Sequence, residues 1–290
     1  MKAIVCEAWG PPSSLQLRDV PSPVPGPKQV LVRTRVAAVN FPDALIVAGK
    51  YQFKPEFPFS PGGELSGEII AIGNEVKRLA IGDKVVGLTP YGAYAQEVLV
   101  DAAHIVPLPR DITDADLELA GSFVLTYGTS LHALKDRAQA QAGETLLVLG
   151  AGGGVGLAAV EIGKLLGMRV IAAASSEEKL NAARERGADE TINYSSDDLR
   201  ERIKALTEGR GVDQHFLRIG AIGRDAHYLV AYRKVLDLVA DGDDLSRQFT
   251  TGRKGKFRFE LIFSGNDQGV GKIHGCYECA HQYLLGPRSG

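Results

Sequence analysis

Glu144-Thr-Leu-Leu-Val-Leu-Gly-Ala-Gly-Gly-Gly-Val-Gly-Leu-Ala-Ala-Val160 decides how this chain folds. The first part, residues 144–150, is short and almost wholly apolar, the composition of a parallel strand covered on both faces. From residue 157 to 166 the apolar residues recur at helical spacing. Between the two lies the glycine run. Where Cβ atoms are missing, backbone amides can approach a pyrophosphate, and the start of the following helix favours negative charge. A flexible linker would also be rich in glycine, but not with apolar elements pressing on it from both sides. The stretch therefore reads as the phosphate turn of a dinucleotide-binding unit, with Gly150, Gly152, Gly153, Gly154, Val155 and Gly156 as the cofactor-binding residues.

Working outward, a second apolar strand is predicted over 169–174 and a helix over 176–186, with Ser175 and Glu178 spaced as a capping box. A third unit follows, a strand over 190–194 and an amphipathic helix over 197–208. Alternation of this length predicts a doubly wound parallel sheet. In the NAD-binding version an acid about twenty residues past the glycines takes the ribose 2′-hydroxyl. Here the second strand ends Ala172-Ala-Ala-Ser-Ser176, and Glu177 and Glu178 read as first-turn helix residues. No carboxylate is in place to repel a 2′-phosphate, and Ser175, Ser176 and Lys179 are placed to meet one. NADPH is expected over NADH on that electrostatic ground; a solvated helix lysine is the competing reading of Lys179.

Upstream of the glycines the pattern is different. Ala3 and Val5, then Val30, Val32, Thr34 and Val36, alternate with polar residues as half-buried strands do. Further strands are predicted over 67–72, 84–88 and 95–100. The proline-rich Val20-Pro-Ser-Pro-Val-Pro-Gly-Pro27 reads as a loop. A barrel-like β module over about residues 1–110 is the economical reading. A helical pattern runs from 115 to 134 with an interruption near Tyr127-Gly128.

Composition narrows the function. The 290 residues hold 33 Lys plus Arg against 35 Asp plus Glu, a net charge of −2, which argues against bulk electrostatic binding of nucleic acid or membrane. Three cysteines cannot form a disulfide framework, and the N-terminus lacks a basic-then-apolar leader, so a cytoplasmic setting is expected.

At this point the chain resembles the quinone oxidoreductase, or zeta-crystallin-like, branch of the zinc-independent medium-chain dehydrogenase/reductases. The resemblance rests on Gly143-Glu144, Leu147, Ala151-Gly-Gly-Gly154, Gly156 and Lys164, with Glu161 where that branch usually has Gln. It continues through Val39-Asn-Phe-Pro-Asp43, Gly49-Lys-Tyr51, Pro61-Gly-Gly-Glu-Leu-Ser-Gly67, Leu125-Thr-Tyr-Gly-Thr129 and Gly187-Ala-Asp-Glu-Thr-Ile-Asn-Tyr194. It implies an N-terminal GroES-like β-barrel domain over 1–119, a Rossmann NADP-binding domain over 120–250 and an irregular segment over 251–290. Hydride would pass from NADPH to a quinone or related electrophilic alkene or carbonyl, and a symmetric homodimer is implied. An enoyl-thioester reductase is the alternative within the class; a cofactor-binding protein without turnover, structural or RNA-binding, is the alternative outside it.

The resemblance also assigns roles. Asn40 and Tyr51 line the acceptor pocket, Asp43 caps or orients the Asn40 loop, Thr126 meets the nicotinamide end and Tyr194 helps hold the cofactor phosphate. A proton comes from solvent or from a phenol such as Tyr51, whose competing role is that of a core tyrosine. Zinc-dependent relatives carry a histidine where Gly63 stands and a cysteine near 40–43, so no zinc is expected. Cys6 reads as a small buried hydrophobe.

The resemblance stops near Asp213. An apolar strand and a Gly-Gly turn are expected there, but the chain reads Gln214-His-Phe-Leu-Arg-Ile-Gly-Ala-Ile-Gly-Arg-Asp225. An incomplete or altered Rossmann domain is expected beyond this point, from truncation or a changed reading frame. Residues 229–240 have helical spacing. Arg253–Arg258 reads as a solvated basic run. His274-Gly-Cys-Tyr-Glu-Cys-Ala-His281 has metal-like spacing without a second half-site, and reads as a chance cluster.

Overall fold

A computed structural model of the chain describes residues 1–218 and 229–233, with side chains through residue 213. The tail motifs 253–258 and 274–281 lie outside the described residues. The chain divides into two compact units, the first formed by residues 1–128 and the second beginning at Thr129.

The first unit is built mainly from strands. β1 (Lys2–Val5) and β2 (Gln16–Asp19) pair antiparallel. β3 (Gln29–Ala37) follows the proline-rich loop and leads through α1 (Phe41–Val47) to β4 (Glu64–Ile72), β5 (Lys84–Leu88), β6 (Glu97–Asp101) and β7 (Ile105–Pro107). The sheet runs in the order β6-β3-β4-β5-β7, antiparallel throughout. Its alternating apolar residues make the core, with Val30, Val32, Leu65, Ile69, Val85, Val98, Val100 and Ile105 all buried. Register shifts at Leu31/Val32 and Thr34/Val36 interrupt the β3–β4 pairing, the first skipping Ile70 of β4 and the second Arg35 of β3. Cys6 is buried against Ile46, Val47 and Phe59.

α2 (Asp114–Ala120) and α3 (Val124–Leu131) replace the single interrupted helix expected over 115–134. The interruption falls at residues 121–123, and Tyr127-Gly128 lies within α3. Gly121 is the C-cap of α2, and a Cβ there would sit 2.8 Å from Val36 Cγ1 and 2.9 Å from Ser66 Oγ, so this turn lies close against β3 and β4. α3 passes into a π-helical stretch, His132–Arg137.

The second unit follows the predicted alternation. β8 (Thr145–Leu149), α4 (Gly154–Leu165), β9 (Arg169–Ala174), α5 (Glu177–Glu185), β10 (Glu190–Asn193) and α6 (Leu199–Leu206) appear in turn. α4 begins at Gly154, three residues before the expected start, so the last glycines are already helical. Ser176, not Ser175, is the N-cap of α5, and no side-chain cap bond forms there. Two further strands follow. β11 (Gln214–Arg218) lies parallel to β8, and β12 (Leu229–Arg233) lies antiparallel to β11, giving the order β10-β9-β8-β11-β12.

Two expectations change here. The chain continues the parallel sheet for five residues past the point where the motifs fade, and Asp213 accepts the Thr145 N–H to open that strand pair. The first five residues of the expected helix over 229–240 are a strand. Leu-Val-Ala-Tyr-Arg satisfies either period, and the free edge of β11 settles it by offering backbone partners.

Candidate functional site

In the first unit the site grows from the start of α1. Pro42 occupies the first turn, where its missing N–H costs nothing, and Asn40 is the N-cap. The Asn40 main-chain N–H donates to Asp43 Oδ2 at 2.8 Å, and the Asp43 N–H donates back to the Asn40 carbonyl at 3.1 Å. Tyr94 Oη donates to the same Asp43 oxygen at 2.8 Å. Burial pushes the Asp43 carboxyl above the usual carboxylate range, against the bonds from Asn40 and Tyr94. Burial also raises the Tyr94 phenol, and the Asp43 charge and hydrogen bond raise it further. Tyr94 is thus a poor acid, held in place as a donor. Gly62 makes room for it: with φ at +94°, a Cβ there would lie 2.4 Å from Tyr94 Cδ1.

Glu64, the first residue of β4, is fully buried. Its Oε2 accepts from Asn40 Nδ2 at 3.0 Å, and its Oε1 accepts from the Leu125 N–H at 2.8 Å. Burial raises this carboxyl, the bonds from Leu125, Asn40 and Val124 lower it, and the Asp43 charge raises it again. One fully buried acid therefore ties Asn40 to the first turn of α3. On that turn Thr126 donates its hydroxyl to the Ser122 carbonyl at 2.9 Å, with Phe123 O at 3.3 Å, which leaves lone pairs to offer a ligand.

Asn40 and Asp43 thus come together, joined by Glu64 and Tyr94, which the sequence reading did not select. Tyr51 is half-buried against the apolar cluster of Cys6, Ile46, Val47 and Phe59. A signal for Glu64 in the sequence is slight: it stands among the uncharged Pro61-Gly-Gly63 and Leu65-Ser-Gly67, three residues before the strand expected over 67–72. Nothing local marks Tyr94.

In the second unit the glycines close the turn from β8 into α4. Gly150 has φ at +69°, Ala151 N–H donates to Ala173 O at 3.0 Å, and Gly153 caps α4. A Cβ on Gly156 would meet Gly150 O at 2.5 Å, so this helix turn lies directly on the strand end. Ser130 Oγ holds the Val155 carbonyl at 2.9 Å. The side-chain stem of Lys179 lies over Gly152, whose added Cβ would be 2.4 Å from Lys179 Cβ.

From there Lys179 Nζ reaches Ser175 Oγ at 3.3 Å, while Ser195 Oγ donates to the Ser175 carbonyl at 3.0 Å. Tyr194 is exposed, and its N–H donates to Ala174 O at 3.2 Å. Ser175, Lys179 and Tyr194 therefore gather at the end of β9, beside the N-cap Ser176. Glu177 faces Arg184 at 3.3 Å. A cation, a hydroxyl and helix N–H groups above a turn that side chains would fill suit a phosphorylated dinucleotide. Ser195 is the residue here that sequence reasoning missed.

A metal ion fits these donors poorly. Among the described residues no group of three or more His, Cys, Asp and Glu is arranged to hold one. Asp43 and Glu64 already accept hydrogen bonds, Gly63 brings no ligand, and Cys6 Sγ donates to Ala8 O at 3.2 Å. No helix among the described residues is long and apolar enough to cross a membrane.

Residues 26–110 match the alcohol dehydrogenase GroES-like domain, and residues 154–240 match the zinc-binding dehydrogenase family. The mouse quinone oxidoreductase-like protein 2 is 32% identical over 278 residues, which are 96% of this chain and 76% of that protein. A quinone oxidoreductase of Pseudomonas aeruginosa is 39% identical over 210 residues, 72% of this chain and 63% of the relative. The structure of Escherichia coli quinone oxidoreductase complexed with NADPH superposes with a TM-score of 0.69 at 30% identity, covering 73% of this chain and 64% of the other. The family match to residue 240 and the mouse alignment both run past Asp213, where the sequence motifs fade.

Proposed function

This chain belongs to the quinone oxidoreductase branch of the medium-chain dehydrogenase/reductase superfamily, and on that footing we propose that it transfers hydride from NADPH to a quinone or a related electron-poor alkene or carbonyl. The observation that carries the cofactor half of this reading is the Ser175–Lys179 pair over Gly152, which among the described residues has no hydrogen bond or ion pair to a carboxylate. Gly150, Gly152, Gly153, Gly154, Val155 and Gly156 would hold the pyrophosphate by their main chain. Ser175, Ser176, Lys179 and Tyr194 would hold the 2′-phosphate, a dianion that Lys179 favours and that the acid of an NAD-specific site would repel.

The bound cofactor supplies the hydride. In the first unit Asn40 offers the acceptor oxygen a fixed amide N–H, which stabilises the negative charge that builds there as hydride arrives. Thr126 offers lone pairs to the carboxamide of the nicotinamide. Tyr94 is not the proton source in this scheme, because its proton is committed to Asp43 and its acidity is suppressed. The proton comes from solvent or from Tyr51.

Titration with NADPH and NADH, followed by turnover on a panel of quinones and enones, tests the reading. NADPH is expected to bind at least about tenfold tighter, about 1.4 kcal/mol, and to be oxidised when a quinone is added. Tighter NADH binding overturns the 2′-phosphate assignment; NADPH binding without oxidation by any acceptor overturns the reductase.

A further inference from the structure

Resting on the reading that Asn40 meets the acceptor, we propose that Glu64 is the positioning residue of this site, fixing which end of the Asn40 amide faces the reaction. An asparagine side chain can present its carbonyl or its NH2 group, and the two differ little in shape. A carboxylate only accepts hydrogen bonds. Facing Asn40 at 3.0 Å, Glu64 Oε2 takes one N–H of the amide and so selects a single orientation. The second N–H of Asn40 is then presented in a fixed arrangement, with the side-chain carbonyl turned toward the Asp43 N–H of the capping box.

Glu64 itself has little freedom. It is fully buried, its strand partner is Leu88, its main-chain carbonyl accepts the Ala38 N–H at 3.1 Å, and its other oxygen is held by Leu125 N–H at 2.8 Å. The same carboxylate therefore sets Asn40 and the turn of α3 that bears Thr126 against one reference point. The selection depends on charge type rather than size. A glutamine of the same shape has one oxygen and one NH2 group where the site holds donors against both oxygens, so either Asn40 or Leu125 would face a donor. Asn40 would turn over or lose its partner.

Glu64→Gln is therefore expected to lower kcat on a quinone about tenfold while changing the NADPH Kd by less than about twofold, the pattern of a displaced contact group. In an Asn40→Ala background the same substitution is expected to change kcat by less than about twofold, because a glutamine can then keep its single oxygen on the Leu125 N–H and no Asn40 amide is left to face its NH2 group. Equal losses in both backgrounds, or no loss in either, would overturn the assignment. The native protein supplies a second measurement that needs neither turnover nor a folded variant. One Asn40 side-chain amide proton should be protected from exchange in 15N-resolved NMR spectra, and two rapidly exchanging protons would sink the idea. If the native protein oxidises no NADPH with any acceptor, the reductase reading fails, and the amide measurement still judges Glu64.

Discussion

The two units build their functional surfaces by opposite means. In the second, the site is a space left open: glycines between β8 and α4 bring backbone close to backbone, and a lysine stem rests where a Cβ would otherwise be. In the first, the site is filled. Two buried carboxyls, a phenol and an amide satisfy one another, and each costs desolvation that the others offset. A site made by omission fails when something is added, whereas a network fails when one partner changes character.

The largest expected effect breaks the first of these designs. Gly156→Val would put a branched side chain against the Gly150 carbonyl at 2.5 Å and Ala151 Cα at 2.9 Å, both backbone atoms that cannot swing aside. α4 must then lift from the end of β8, taking the phosphate turn with it. NADPH binding is expected to weaken at least about 100-fold, about 2.7 kcal/mol, as read by fluorescence titration. Retained affinity would mean that the turn does not hold the pyrophosphate.

How legible each unit was in the sequence follows from the same contrast. The phosphate turn was readable because its parts are consecutive: seven residues, a strand before and a helix after, all within one local pattern. Lys179 and Ser175 lie on one helix start and the strand end before it. The bonds of the other site join positions 24, 51 and 61 apart, Asn40 to Glu64, Asp43 to Tyr94 and Glu64 to Leu125. No periodicity encodes such pairings, since they exist only once β4 and α3 have packed. A local motif singled out Tyr51, whereas Tyr94 reaches Asp43 through the fold. β12 shows the same limit: five residues fit helix or strand equally well until β11 offers an edge.

Gly62→Ala sharpens the contrast, because it adds one atom to the filled site. Its Cβ would lie 2.4 Å from the Tyr94 ring at a backbone φ of +94°, so strain and crowding act together. A loss of about 3 kcal/mol is expected, a fall in Tm on the order of 10 °C. Gly82→Ala is the control. It shares the left-handed conformation at φ +90° but has nothing within 4 Å, and should cost only about 1 kcal/mol. Equal losses at the two glycines would show that Tyr94 is not wedged as described.

The smallest expected effect concerns charge alone. Burial raises the carboxyls of Asp43 and Glu64 in the folded chain, so the native state holds their protons more tightly than the unfolded chain does. Their contribution to stability is then full below the ordinary carboxylate range and is lost as pH rises through the raised folded values. Asp189 runs the other way. Desolvation opposes it, but Lys164 and the Val170 N–H prevail and lower it, so its contribution is lost as pH falls. Asp116 is lowered by Thr113 with the same sign. Subtracting one protein from another isolates Glu64: the Tm of native protein minus that of Glu64→Gln should decline as pH rises above the ordinary carboxylate range, since only the native side chain ionises in the buried seam. A difference that stays flat would mean Glu64 keeps one protonation state throughout. A difference that grows with pH would mean that the three N–H groups around the carboxylate outweigh its burial, making the network of the first unit a preformed anion site like the turn of the second.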